Sequence, residues 1–271
     1  MTEKEFRKLV TDLEILSSEK NELLDRINKL EETLNNNKSN YYNITEIKRV
    51  GAFAKGTLLN DADEIDVMVV VNVNNERAFL LNNHFILNDI ENVIINNYKD
   101  ILKMSNVTRN QNKNLISFTS HNFKINLYVC YEQDNFVKTT HEKQIEFVEL
   151  ANRDYTYYRN TLKIIKYFRD QENISISGYI LEIMLYYALN EYFKDNRYET
   201  YLNGFIKTID EFIKGHKIEV SKDIYQKLNI DPTNNVRKQY MVLDVANPNN
   251  NLTDYVTDVN VQEFRKLKKA L

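Results

Sequence analysis

The sequence predicts an α+β protein with a mixed sheet and helices in its first half and a helical second lobe. Three patterns support this fold class. The segment from Ile65 to Val73 is rich in valine, which is typical of a buried strand. Between Glu3 and Leu34, apolar residues recur at the spacing of an amphipathic helix. After about residue 150, helical periodicity replaces the strand-like pattern.

The composition fits a folded chain of 271 residues, which is long enough for one large or two small domains. Hydrophobic residues make up 42% of it, and only 5 glycines and 2 prolines interrupt it, so long regular elements are expected. The formal net charge of −3 gives no whole-chain signature of a nucleic-acid-binding protein. Cys130 is the single cysteine and cannot form an intrachain disulfide, so nothing requires an oxidising compartment.

The sequence lacks the patterns of a secreted or membrane protein. The first residues, from Met1 to Glu5, include charges and lack the apolar segment of a signal peptide. No apolar run approaches the ~20 residues that a membrane span needs, and Glu182 interrupts the apolar stretch Tyr179–Leu189. We therefore expect a cytoplasmic protein with no membrane partner.

The first element, within residues 1–40, is predicted to be a long amphipathic helix that braces the rest of the chain. Its apolar stripe consists of Leu9, Leu13, Leu16, Leu23, Ile27, Leu30 and Leu34. The polar run Asn35–Asn40 ends the helix. A coiled-coil dimer is the alternative, although Lys20 breaks the apolar seam and the run is short for a coiled coil.

Residues 41–150 are predicted to hold the sheet, and residues 151–271 to form the helical lobe. In the sheet region the predicted elements are a strand over Glu46–Val50, a loop over Gly51–Thr57, the strand Ile65–Val73, a helix over Glu76–Lys99, and strands over Leu115–Thr119 and Phe123–Tyr131. The predicted helices that follow are Ile145–Asp170, Ser177–Phe193, Tyr198–Lys214 and Val261–Leu271. An active site is expected in the cleft between the two lobes.

The residues that indicate chemistry lie in the Gly51–Thr57 loop and on the strand after it. Gly51 and Gly56 let the backbone turn tightly, and backbone N–H groups in such a loop suit phosphate oxygens. Glu64 and Asp66 are two residues apart on a strand, so both carboxylates lie on one face while the residue between them points into the core. Two carboxylates beside a triphosphate-binding loop are typical of a Mg²⁺ site.

Together these residues resemble the signature of the polymerase-β-type nucleotidyltransferases. That signature is a Gly-Ser pair, then Lys or Arg before Gly-Thr, then a strand with two acidic residues. The matching residues here are Gly51 and Ala52, Lys55, Gly56 and Thr57, and Glu64-Ile65-Asp66. The Glu-Ile-Asp version is similar to archaeal CCA-adding enzymes. The resemblance implies a polymerase-β-like nucleotidyltransferase core in residues 41–150, with nucleoside triphosphates as substrates and Mg²⁺ or Mn²⁺ as cofactor.

The second lobe extends the resemblance to the family's oligonucleotide-synthase branch. Lys166 matches the lysine that holds the triphosphate in that branch. Ser177 and Tyr179 match a Ser-x-Tyr helix whose tyrosine can stack on a base. The resemblance therefore implies a nucleotide-binding lobe over residues 151–271. Two plainer interpretations stay open, namely that Lys166 is an ordinary surface lysine and that Tyr179 is a core aromatic.

Two further segments resemble the same branch. Asp244–Asn251 is similar to its Asp-Pro-x-Asn-Pro-x-Asn-Asn loop, with Val245 where a proline is usual. The leading helix is similar to the one with which bacterial signal-nucleotide synthases begin. The resemblance thus covers nearly the whole chain.

Two positions depart from the family's pattern. Asn126 stands where the family has a third carboxylate; it brings no negative charge and cannot accept a proton. We therefore expect nucleotide binding to survive and the chemical step to be severely weakened. Ala52 replaces the usual serine, which removes a hydrogen bond worth on the order of 1–2 kcal/mol. Asn126 is either an Asp→Asn change introduced to trap a substrate complex or a natural replacement.

The predicted function is template-independent nucleotidyl transfer that makes a cyclic or linear oligonucleotide second messenger. It resembles the anti-phage signalling of bacterial relatives of cyclic GMP-AMP synthase and oligoadenylate synthase. Glu64, Asp66 and Asn126 form the predicted catalytic and metal positions. An RNA or protein activator is a further partner that the resemblance allows. Two alternatives stay open: nucleotide addition to an RNA 3′ end, and a catalytically dead module that binds nucleotides or a partner.

Overall fold

The computed structural model describes residues 2–37, 39–60, 62, 64–73, 84–96, 104–120, 123–132, 135–231, 241–247, 252–253 and 258–271. The chain divides into two compact units. The sheet unit is Ile15–His141, and the helical unit is Met1–Glu14 together with Glu142–Leu271. Within the described part of the chain, no helix combines the length and apolarity needed to cross a bilayer. The predicted division of the chain into a bracing helix, a catalytic core and a nucleotide-binding lobe, with boundaries at residues 40 and 150, stays a prediction.

The sheet unit contains a mixed sheet of five strands in the order β1-β2-β5-β4-β3. The strands are β1 (Tyr42–Val50), β2 (Glu64–Val73), β3 (Met104–Asn110), β4 (Leu115–Ser120) and β5 (Phe123–Tyr131). β2 and β5 run parallel, and the other neighbouring pairs are antiparallel. The predicted mixed sheet is therefore confirmed, and β2 lies between β1 and β5.

Alternate residues of β2 face opposite sides of the sheet. Ile65, Val67 and Val69 are at most 2% exposed and belong to the core of the unit. The same core contains apolar residues of α2 (Ser17–Asn35) and of α4, which is helical over residues 84–96. The two-residue period of a strand therefore directs Glu64 and Asp66 to the other face, as predicted. The ends of the predicted helix Glu76–Lys99 lie outside the described residues.

The amphipathic N-terminal stretch forms two helices rather than the single long helix predicted. α1 is Glu3–Asp12 and α2 is Ser17–Asn35. The buried apolar residues of α1 are Phe6 and Val10, and Leu13 continues this stripe. Those of α2 are Leu23, Ile27, Leu30 and Leu34. At 3.6 residues per turn these two stripes point about 100° apart, so one straight helix could not bury both against one core. The chain breaks between them, and each helix buries its stripe in its own unit.

The helical unit contains most of the remaining elements. They are α5 (Asn135–Asp154, which starts in the sheet unit), α6 (Tyr158–Gln171), α7 (Gly178–Tyr192), α8 (Tyr198–Ile213), α9 (Lys222–Lys227) and α10 (Asp258–Ala270). The helices predicted near α7, α8 and α10 are confirmed. The predicted helix Ile145–Asp170 is wrong in one respect, because it is divided between α5 and α6. At the break, the backbone N–H of Tyr157 donates to the hydroxyl of Tyr201, and both tyrosine rings pack edge-on.

Three elements were not predicted from the sequence. β3 is mostly exposed and polar, so it carries no alternation of apolar residues. α9 is only six residues long, too short to establish a helical period. The predicted loop Gly51–Thr57 begins with a helical turn, α3 (Gly51–Ala54). Most of the Asn-rich passage Asp231–Asn251 lies outside the described residues.

Candidate active site

Gly51 brings the end of β1 into direct contact with Asp66. Its φ is +63°, in the left-handed region that glycine adopts readily. A Cβ at this position would lie 2.9 Å from Cγ of Asp66 and closer still to Oδ2. The register explains the contact, because Val50 pairs with Asp66 across β1 and β2. Glycine is therefore required here for two reasons, its backbone conformation and the space taken by the carboxylate.

The rest of the predicted phosphate loop folds back on itself. The N–H groups of Lys55, Gly56 and Thr57 donate to the carbonyls of Gly51, Phe53 and Ala52 at 3.2, 3.2 and 2.9 Å. Lys55 and Thr57 are 4% and 1% exposed, and Ala52 packs against the core of the unit. These N–H groups are engaged within the loop, so phosphate binding by its backbone stays a prediction that concerns the earlier residues of the turn.

Glu64, Asp66 and Asn126 meet on one face of the sheet. Asp66 and Asn126 are partners in the parallel register of β2 and β5, and Glu64 pairs with Lys124. The Nδ2 group of Asn126 donates to Oε1 of Glu64 and, at 3.1 Å, to Oδ1 of Asp66. Lys124 Nζ also donates to Glu64 Oε1 at 3.0 Å. The structure thus brings together all three residues that were predicted as catalytic and metal positions.

The two carboxylates have opposite pKa shifts. Burial raises the pKa of Asp66, and the neighbouring Glu64 adds to this, while the hydrogen bond from Asn126 and the charge of Lys55 act against it. Burial also acts to raise the pKa of Glu64, but the hydrogen bonds from Asn126 and Lys124 outweigh it and hold this pKa below its usual value. The pair therefore contains one carboxylate that is readily ionised and one whose charge is costly in the metal-free state.

Four residues that sequence reasoning did not assign to the site surround it. They are Ser117, Lys124, Tyr128 and His141. Burial and the charges of Asp66 and Glu64 raise the pKa of Tyr128 to about 12. Burial, together with Lys55, lowers the pKa of His141 to about 4, so this ring is neutral at physiological pH. Only the register of β2, β4 and β5 could have identified Ser117 and Lys124, and a single sequence does not give it.

The donor set fits one divalent ion better than two. Glu64 and Asp66 offer carboxylate oxygens on the same face, and such oxygens suit Mg²⁺ when phosphate and water complete the shell. Asn126, however, presents N–H donors to them, which is the wrong polarity for a metal ligand. Among the described residues no group of three or more His, Cys, Asp or Glu side chains could hold a metal ion. The two-metal arrangement of phosphoryl-transfer sites therefore does not fit these residues.

Lys166, predicted to hold the triphosphate, lies in the helical unit. It is 5% exposed, and its Nζ lies 3.2 Å from Oε1 of the buried Glu182. Gly178, at the start of α7, packs against it: a Cβ there would lie 3.1 Å from Cε of Lys166. The interpretation of Lys166 as a surface lysine is therefore excluded. Its contact with a triphosphate stays a prediction.

Ser177 and Tyr179 form the start of α7. Ser177 is its N-cap, and its side chain accepts a hydrogen bond from the N–H of Tyr179 at 3.2 Å. The hydroxyl of Tyr179 donates to Oδ1 of Asp244 at 2.9 Å, and burial and this carboxylate raise its pKa well above the usual value. The N–H of Ala246 donates to the same carboxylate at 2.8 Å. Tyr179 thus anchors the Asp244 segment, and its stacking on a base stays a prediction.

Comparisons with known proteins identify the fold. No family model matches the chain, and no curated protein matches it by sequence. The structure of CdnC of Escherichia coli MS115-1 with ATP is similar at a TM-score of 0.69 and 18% identity, covering 100% of this chain and 89% of that one. The same protein has been solved in a CdnC:HORMA-deltaN complex.

Two other solved structures share the fold. One is the CdnE cyclic dinucleotide synthase of Elizabethkingia meningoseptica with GTP and Apcpp, at a TM-score of 0.61 and 14% identity over 98% of this chain and 97% of that one. The other is terminal uridylyl transferase 4 of Trypanosoma brucei with bound CTP, at 0.60 and 12% over 98% and 94%. These identities establish the fold alone. The chain thus has the fold of the polymerase-β-type nucleotidyltransferases, which the sequence motifs had indicated.

Proposed function

We propose that the chain binds nucleoside triphosphates and joins them, without a template, into a cyclic or linear oligonucleotide signal. The observation that carries the proposal is the meeting of Glu64 and Asp66 on one strand face, against a glycine turn that allows no side chain. Similarity of fold to the two Cdn proteins, solved with ATP or with GTP and Apcpp, supports the same class of substrate. A cytoplasmic, anti-phage role and an activating RNA or protein partner belong to this proposal.

The roles follow from the chemistry of each group. Glu64 and Asp66 would hold the Mg²⁺ or Mn²⁺ ion that accompanies the triphosphate, and this ion would neutralise part of the phosphate charge. The turn from Gly51 to Thr57 and Lys166 bind the phosphates, while Tyr179 stacks on a base. Position 126 holds an amide that cannot accept a proton, so the attacking hydroxyl is poorly activated. Nucleotides therefore bind, and the transfer step is slow.

Product analysis tests this function. The chain and its Asn126→Asp variant are incubated with labelled ATP, GTP, CTP and UTP, with Mg²⁺ or Mn²⁺, and products are separated by chromatography and identified by mass. We expect short cyclic or linear oligonucleotides from the Asp variant in the absence of RNA, and little or none from the unchanged chain. The Asp66→Asn, Asn126→Asp double variant is the control and should give none. Absence of any product from both chains, with RNA also supplied, would sink the synthase proposal and favour a binding module.

Nucleotide addition to RNA 3′ ends is the second candidate. It is favoured by the similarity of fold to the uridylyl transferase of Trypanosoma brucei. The same incubation distinguishes the two candidates, since an RNA-adding enzyme lengthens a supplied RNA and makes no oligonucleotide from nucleotides alone.

A further inference from the structure

The carboxamide of Asn126 makes three hydrogen bonds within the sheet unit. Both N–H donors of Nδ2 are directed to carboxylates, one to Glu64 and one to Asp66. Its Oδ1 accepts a hydrogen bond of 2.7 Å from the hydroxyl of Ser117, its register partner on β4. Asn126 and Ser117 are 3% and 8% exposed, so the bond between them is shielded from water, while the bonds to the carboxylates are partly buried. Three bonds therefore fix which end of the amide faces the carboxylates.

This arrangement places the positive end of an amide dipole between two carboxylates. Two neighbouring carboxylates repel each other, and in a metal site a cation removes that repulsion. Here the two N–H groups satisfy one oxygen of each carboxylate instead. The N–H groups point at both carboxylates, so a divalent ion held between Glu64 and Asp66 would meet the positive end of the amide dipole. The amide and the ion therefore compete for one position.

We propose that Asn126 and Ser117 form an amide lock, in which the carboxamide replaces a cation between Glu64 and Asp66 and keeps the pair stable without metal. The lock rests on the proposed function in one respect, namely that Glu64 and Asp66 are the metal-binding residues. Glu64 and Asp66 would hold a divalent ion well only after the carboxamide had turned its oxygen towards them. Ion binding by the free protein is therefore weak.

Ser117 is the positioning residue of the lock. When the carboxamide turns, Nδ2 faces the Ser117 oxygen, which must then accept a hydrogen bond and can no longer donate to Oδ1. The turned state thus keeps one hydrogen bond between the two side chains, but it leaves the buried Ser117 hydroxyl proton without the Oδ1 acceptor that it has in the unturned state. Replacing Ser117 by alanine removes this difference, so the carboxamide turns at lower cost and ion binding becomes tighter. Replacing it by threonine keeps the hydroxyl and should leave ion binding unchanged.

Binding of Mn²⁺ without nucleotide tests the lock, measured by electron paramagnetic resonance of the free ion. Relative to the unchanged chain, we expect Asn126→Asp to bind Mn²⁺ at least tenfold more tightly, since it adds a charged ligand; this is roughly the effect of one charge-assisted bond. Ser117→Ala should bind about fivefold more tightly, the equivalent of one net hydrogen bond. Ser117→Thr, the matched control, should bind as the unchanged chain does.

Thermal unfolding gives a second readout. In EDTA, Asn126→Asp should unfold at a lower temperature than the unchanged chain, because three carboxylates then repel one another, and Mn²⁺ should restore it. The unchanged chain should respond little to Mn²⁺. Equal Mn²⁺ affinity in the unchanged chain, Asn126→Asp and Ser117→Ala would overturn the lock. If Asn126→Asp does not fold, the comparison of Ser117→Ala with Ser117→Thr decides alone. Because no nucleotide is present, failure here is separate from failure of the proposed function.

Discussion

Single residues of the sheet unit are constrained by the carboxylates rather than by the core. Gly51 has its positive φ at the point where Asp66 fills the space that a side chain would need. Gly215 also has a positive φ, +86°, but it lies after α8 in the helical unit. Both glycines therefore need a left-handed backbone, but only Gly51 lies against a carboxylate of the candidate site. This pair allows backbone strain and site geometry to be measured separately.

The first residue-scale prediction compares alanine at these two glycines. Gly215→Ala should lose about 1–2 kcal/mol of unfolding free energy, the cost of a left-handed L-residue, and keep nucleotide affinity. Gly51→Ala should lose more stability, because its Cβ also displaces the Asp66 carboxylate, and should lose nucleotide binding. Urea unfolding and equilibrium binding of labelled triphosphates measure both effects. Full nucleotide affinity in Gly51→Ala would contradict the assigned role of the turn.

The opposite pKa shifts of the carboxylates predict opposite pH dependences of stability in EDTA. The pKa of Asp66 lies above 3.8 in the folded state. Its contribution to the unfolding free energy is therefore complete below that pH and is lost as the pH rises through the folded pKa. The pKa of Glu64 lies below 4.5, so its contribution is present above that pH and is lost as the pH falls. As the pH rises, the unfolding free energy of Asp66→Asn should therefore increase relative to that of the unchanged chain. That of Glu64→Gln should decrease relative to the unchanged chain.

Urea unfolding of the three proteins between about pH 3 and 7 measures these differences. Each variant is the control of the other, because both remove one carboxylate from the same face. Curves for the two variants that run parallel across this range would show that the carboxylates titrate alike, against the asymmetry of their surroundings.

The two-residue spacing of Glu64 and Asp66 was enough to place their side chains on one face, because a strand has a fixed period. The third position was located by its place on a later strand, and β5 does pair with β2 in that register. The orientation of the Asn126 amide was not predictable, since it depends on Ser117 of β4, nine residues earlier in the chain. The engagement of Lys166 by Glu182 was not expected either, because it needs the packing of α6 on α7.

At the scale of elements, the N-termini of α1 and α2 are capped differently. α1 begins with a capping box formed by Thr2 and Glu5. The N-cap of α2 is Leu16, which has the extended backbone of such a residue, makes no side-chain capping hydrogen bond and is 62% exposed. Glu19 occupies the third position of α2, where a capping-box partner would lie. The chain thus has the backbone of a cap at this point without its side chain.

The element-scale prediction is that Leu16→Ser stabilises the protein by about 1 kcal/mol, because its hydroxyl can accept a bond from an N–H of the first turn. Urea unfolding measures the change in unfolding free energy. Leu16→Ala is the matched control, since it removes the same exposed side chain and adds no cap. A gain of the same size in both variants would attribute the effect to loss of the exposed leucine instead.

Elements with a strong period were predicted well, and elements without one were not. The predicted ends lie within one residue of the observed ends for five elements, because the apolar residues of each follow one period throughout. These elements are β2, β4, β5, α7 and α8. The apolar residues of the N-terminal stretch keep helical spacing across the break, so spacing alone did not reveal that the stripe turns by about 100°. β3 is recognised as a strand only through its pairing with β4.

At the scale of the whole molecule, two units contribute different predicted functions. The sheet unit holds the carboxylates, the glycine turn and the amide of Asn126. The helical unit holds Lys166 and Tyr179, the residues predicted to bind the triphosphate and the base. The fold shared with solved nucleotidyltransferases accounts for both units, since the comparisons cover at least 98% of the chain. We therefore predict that the chain binds nucleotides and that Asn126 is the position that slows its chemical step.

The rate of pyrophosphate release at saturating triphosphate and Mg²⁺ tests this claim most directly. The unchanged chain and Asn126→Asp are compared with each of the four triphosphates, and their triphosphate affinities are measured alongside. We predict similar affinities and a rate at least about 100-fold higher for Asn126→Asp, the size of effect that one catalytic group has. If Asn126→Asp binds triphosphate but releases pyrophosphate no faster than the unchanged chain, position 126 does not limit the chemistry and the account is contradicted.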